Sequence, residues 1–139
     1  MGRTSSRYWP DRARQAAQGG TDMAYLKNIG QDKVLKLADE VSAAPGQIVS
    51  RTLVQNEAVS ITLFAFSKGE EISTHSSSGD AMVLVLEGSG ELTVGGVQHV
   101  CGAGESIIMP AGIPHAVYAK EDFKMMLTVV FPIGQEQKK

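Results

Sequence analysis

A chain of 139 residues, 42% hydrophobic and 20% charged with a formal charge of −2, is long enough for one domain with a real core and has no excess of positive charge to offer a nucleic acid. Its single cysteine, Cys101, rules out an intramolecular disulfide and a cysteine-rich zinc module, and fits a reducing cytoplasm. The longest unbroken apolar run, residues 81–86, is too short to cross a bilayer, and the N-terminus lacks the apolar centre of a signal peptide, so no membrane partner is expected.

Residues 1–22 carry four arginines against two aspartates and no hydrophobic period, and read as a disordered tail, either an added leader or an unprocessed natural extension, with Met23 as an alternative start. The folded domain is expected over residues 23–134, and the polar stretch 135–139 should fray. Val34, Leu35, Leu37, Ala38 and Val41 suit either a short helix or an irregular edge strand, closed by Pro45-Gly46.

Beyond Gly46 the chain alternates apolar runs with turn residues. Strands are predicted at 48–53, 58–66, 71–75, 81–87, 90–94, 97–101, 106–109, 115–119 and 124–131. Gly95-Gly96 marks a tight hairpin, because a two-residue primed turn needs positive φ at its centre. In 58–66, Val59, Ile61, Leu63 and Ala65 make one apolar face, with Ser60, Thr62, Phe64 and Phe66 on the other. Residues 82–86 are apolar on both faces, so the outer one must be covered by a terminal segment or by a second subunit, and a homodimer is expected. Residues 123–131 are too apolar on both faces for an edge strand and should close the barrel or the dimer. Met109, Met125 and Met126 read as core.

The segment Gly104-x5-Pro110-x-Gly112-x2-His115 resembles the second conserved motif of the cupin superfamily, departing only at Ala119, where asparagine is usual. Gly69-x5-His75, with Gly88 downstream, resembles the first motif, and residues 90–96 resemble the hairpin between them. The resemblance spans roughly residues 45–131. It implies an all-β fold, a double-stranded β-helix or jelly-roll barrel, with His75 and His115 pointing into one interior. Metal-binding cupins supply two histidines and a glutamate from the first motif and a third histidine from the second. Here Ser77 stands at the second histidine position and Ala81 at the glutamate position, so a metal is not inherited by analogy.

The expected ligand pocket is therefore His75, Ser77, Ala81, Val83, His115 and Val117, taking a small molecule. His75 and His115 are candidate ligands for a divalent transition metal (iron, manganese, nickel, copper or zinc), with His99 and Asp80 as candidate additional donors. Asp80 also reads as an exposed turn residue. His99 also reads as a hydrogen-bonded wall residue, and Cys101 as a small buried hydrophobe. Three functions stay open: a metal-dependent cupin enzyme, a metal-free binding or sensing module, and a metal-free isomerase with Tyr118 as acid. The last is disfavoured because strand alternation puts Tyr118 on the face opposite His115.

Overall fold

The computed structural model describes residues 24–134, and the proposed tail at 1–22 and the C-terminal stretch 135–139 lie outside the described residues. Nine strands follow a short 3-10 helix, Leu37–Glu40: β1 (Ile48–Gln55), β2 (Val59–Phe66), β3 (Glu71–His75), β4 (Asp80–Glu87), β5 (Ser89–Val94), β6 (Val97–Gly102), β7 (Ser106–Met109), β8 (His115–Tyr118) and β9 (Phe123–Val130). The helix resolves the ambiguity at residues 34–41, and all nine predicted strands are present with ends shifted by two residues at most.

The strands form two antiparallel sheets, one ordered β1-β2-β9-β4-β7 and the other β3-β8-β5-β6, which pack as a jelly-roll barrel. Val94 pairs with Val97 across the turn Gly95-Gly96, whose φ values of 58° and 84° are left-handed, so the hairpin forms as its glycines dictate. Between the sheets lies the main core, in which Ala81, Val83 and Val85 of β4 meet Leu92, Cys101 and Val117 of the opposite sheet. Phe66 and Phe123 stack at 4.7 Å within it.

The two faces of β2 divide in a way the residue types alone conceal. Phe64 and Phe66, on the mixed face, join the interior, whereas Leu63 and Ala65, on the apolar face, point outward into a second cluster with Val41 and Leu53. Residues 24–44 supply the cover. They are pinned to the sheet by Lys27 N to Leu53 O (2.7 Å), Lys124 Nζ to Ala38 O (2.6 Å) and an Arg51–Glu40 ion pair at 3.0 Å. Strand β9 lies in the middle of the five-stranded sheet, which explains its two apolar faces: Met125 is in the interior core and Met126 packs in the outer cluster. No helix among the described residues is long and apolar enough to cross a membrane.

Candidate functional site

His75 closes β3 and His115 opens β8, and the two residues are register partners in the four-stranded sheet. Side chains opposite each other in an antiparallel pair share a face. Their rings stand at 4.4 Å between centroids in an edge-on arrangement, 73° between planes. A bulge between Ile72 and His75 brings about this pairing, by adding a residue to β3 just before the histidine.

The approach to His115 is fixed by the turn before it. Met109 ends β7, Gly112 takes φ 78°, Ile113 N donates to Pro110 O (3.2 Å), and Gly95 N donates to Pro114 O (2.8 Å). Two further bonds tie this turn to the loop after His75. Gly112 N donates to Ser77 O (2.8 Å), and Ala111 N donates to the Asp80 carboxylate (2.8 Å). The loops that carry the two histidines are thus clasped together, and the Ser77 hydroxyl is occupied by Gly79 N at 3.1 Å.

Each imidazole is oriented by its own backbone. His75 Nδ1 donates to Ser73 O (2.9 Å) and His115 Nδ1 to Ile113 O (3.1 Å). A carbonyl oxygen only accepts, so both Nδ1 atoms carry the proton, and in the neutral rings both Nε2 atoms keep a free lone pair. His115 is 4% exposed while His75 is open to solvent. Burial holds the His115 pKa below the ordinary histidine value. The His75 charge adds to this, and the bond to Ile113 opposes it. A neutral, accepting His115 is therefore its resting form near pH 7.

Ala81, Val83 and Val117 are buried in the interior core, Val117 two residues beyond His115 on the same face of β8, whereas Ser77 is half-buried in the loop after β3. Asp80 does not join the imidazoles: it is exposed, with its carboxylate on Ala111 N. Nor does His99. It lies on β6 opposite Leu92, two strands from β8 and level with Val117 rather than His115, about 12 Å from the latter, and is exposed. Cys101 is buried, and its thiol pKa is raised by that burial and by Glu105. Tyr118 pairs with Glu71 and Glu91 on the outer face, away from the histidines. A groove of about 440 Å³, lined by Ser78, Gly79, Asp80, Ala111, Val130, Phe131 and Pro132, borders the same clasped loops, while one of about 770 Å³ lies against β1 and Glu40. The clasp through Asp80 and Ser77 is what sequence reading missed. Its one signal is an aspartate at the start of a strand, and no spacing rule pairs that residue with a turn 31 positions away.

The family model for the cupin domain matches residues 62–131, half of the chain and both motif segments. The chain is a cupin. Solved structures similar to it include a conserved protein of unknown function from Streptococcus pyogenes, at 47% identity over 80% of this chain and 97% of that one, with a TM-score of 0.77. A cupin superfamily protein from Desulfitobacterium hafniense is 32% identical over 78% of this cupin and 100% of its own chain (TM-score 0.75). A cupin 2 conserved barrel domain protein from Leptotrichia buccalis is 42% identical over 67% of this chain and 45% of its own (TM-score 0.66). No curated protein matches.

Cupins often hold a divalent metal, so the donor set here was tested against one. Among the described residues no group of three or more His, Cys, Asp or Glu side chains comes together. The glutamate position is Ala81, whose methyl has no donor atom and is sealed in the core at 2% exposure. Two imidazoles without a carboxylate or a third nitrogen fall short of the three or four protein ligands by which resident ions are held. The residues of this cupin do not fit a resident metal ion.

Proposed function

We propose that this cupin binds a small organic molecule directly at His75 and His115, with no resident metal ion. One observation carries the reading: two imidazoles 4.4 Å apart, each with Nδ1 committed to a backbone carbonyl, offer a matched pair of Nε2 acceptors, with buried Val117 next along the face of β8 that carries His115. Such a site favours a compact, largely apolar ligand carrying a hydroxyl or amine hydrogen to donate. Few polar groups set on an apolar lining are the usual form of a small-molecule site. Recognition, in a binding or sensing role, requires nothing more than these groups. The free, buried thiol of Cys101 accords with the cytoplasmic setting we infer for it.

A second reading has one observation in its favour. Metal-ligating histidines commonly fix their tautomer by donating the far ring nitrogen to a carbonyl, as both rings do here. An exchangeable divalent ion such as Fe, Mn, Ni, Cu or Zn, taking two protein donors and the rest from water or ligand, would accordingly bind weakly.

The test is a thermal-shift screen of small phenols, alcohols and amines against chelator-dialysed protein, beside His75→Ala and His115→Ala. A ligand of the proposed kind raises the melting temperature of the wild type without added metal, and loses at least tenfold in affinity in either variant. Hits that bind only with added metal would favour the second reading, and hits that ignore both substitutions would place the ligand elsewhere.

A further inference from the structure

The two histidines belong to a longer row. His75 is in register with His115, His115 with Val94, and Val94 with Val97, so one residue from each strand of the four-stranded sheet stands on the same face, in the order β3, β8, β5, β6. That face is the inner one, because Leu92 and Val117, two residues along from Val94 and His115, are buried in the interior core. Beyond buried His115 the row opens towards β6: Val94 is half-buried and Val97 is 58% exposed. His99 follows Val97 on the same face and is exposed as well.

The spacing along this row is held by the turn before His115. Gly95 N in the β5–β6 hairpin donates to Pro114 O (2.8 Å), and Ile113 lies over the hairpin, 3.4 Å from where a methyl group on Gly95 would stand. Neighbouring strands place the backbone of Val97 about 10 Å from that of His115, with His99 about 12 Å away on the diagonal. The two ends differ in hydrogen-bonding sense. At one, the imidazole pair presents two accepting Nε2 atoms; at the other, the His99 ring has an N–H to give in either charge state. Between them Val94, Val97 and Ile113 add only hydrocarbon.

We propose that the ligand lies along this row as a hydroxyaryl acid, its hydroxyl on His75 and His115, its ring against Val94 and Val97, and its carboxylate on His99. The inference rests on the direct binding proposed above and extends it from one donor group to a whole ligand. A benzene ring with one short arm suits the gap that remains once imidazoles reach in from both ends. A flexible chain of the same reach would lose more conformational freedom on binding, which favours the ring. Val97, an exposed apolar residue beside two histidines, thereby gains a partner, and so does His99, which is too far from the pair to share a ligand atom with it.

The experiment is calorimetric titration of the full chain, dialysed against chelator, with phenol, para-ethylphenol and para-hydroxyphenylpropanoate. Affinity should rise in that order by about fivefold at each step, first for the added hydrocarbon and then for the bond to His99. His99→Ala should erase the second step and keep the first, and Val97→Asn should weaken both substituted phenols about fivefold. Val100→Asn, on the opposite face of the same strand, should change none of the three. Val97, His99 and Val100 are all exposed, so these variants should fold. Equal affinities for the three phenols, or a series lost in His75→Ala yet indifferent to Val97→Asn and His99→Ala, would overturn the inference and leave the imidazole reading standing. Binding that also ignores His75→Ala would remove that reading as well, and failure of all three phenols to bind would overturn the inference itself.

Discussion

His115 is buried where its neighbour His75 is open, and that asymmetry sets how the pair responds to pH. Burial disfavours the imidazolium, so the native ring resists a proton that the unfolded chain accepts near pH 6.5. As pH falls below that value the unfolded state binds more protons than the native one, and stability declines until the native ring is protonated too. Above it the ring is neutral in both states, and this contribution is fully present. The melting temperature of the wild type should therefore fall more between pH 7 and pH 5 than that of His115→Gln. Equal slopes would show that His115 is protonated as readily in the fold as out of it. Affinity for a ligand that donates to Nε2 should weaken over the same range.

Asp80 is the second residue with a defined task. Replacing it by alanine leaves Ala111 N without its partner and should cost about 1 kcal/mol in urea unfolding, while Asp80→Asn, which keeps an accepting oxygen, should recover most of this. If the clasp sets the spacing of the imidazoles, ligand affinity will follow the same order. Sequence reading singled out both histidines because motif positions and the Pro-Ala-Gly-Ile-Pro turn are local features. Asp80's role is a contact between loops, which a linear pattern does not display.

Among the elements, strands were legible wherever glycine or proline stops them, as at Gly95-Gly96 and Pro110. The direction in which β2 faces was less so. Its more uniformly apolar face turns outward because residues 24–44 lie over it, while the phenylalanines of the mixed face stack in the barrel. Strand β5 shows how closely the two sheets fit. A methyl group on Gly90 would come within 2.5 Å of the Phe123 ring, itself stacked on Phe66. Because all three are core positions, Gly90→Ala should destabilise by about 2–3 kcal/mol in denaturant unfolding. A loss below about 0.5 kcal/mol would mean that the ring shifts freely, against the packing described here.

At the scale of the molecule, one barrel carries a pair of imidazoles where the β3–β4 loop meets the β7–β8 turn and, among the described residues, an exposed apolar corner on the outer face of the larger sheet. Apolar character on both faces of residues 82–86 signalled that something must cover the outside. The residue pattern asks for a terminal segment or a second subunit as that cover, with a homodimer as the expectation. Residues 24–44 cover one half, and Met82, Ile108 and Val130 stay exposed on the other among the described residues. The fold preserves the cupin frame while its donor set is reduced to a pair, so binding without a resident ion is the central claim.

Elemental analysis of untagged, dialysed protein, reconstituted with each first-row divalent metal and dialysed again, tests that claim most directly. The account predicts less than about 0.1 ion per chain for every metal, since two neutral imidazoles hold an ion too weakly to survive dialysis. Near-stoichiometric metal in the wild type, lost in both His75→Ala and His115→Ala, would contradict it.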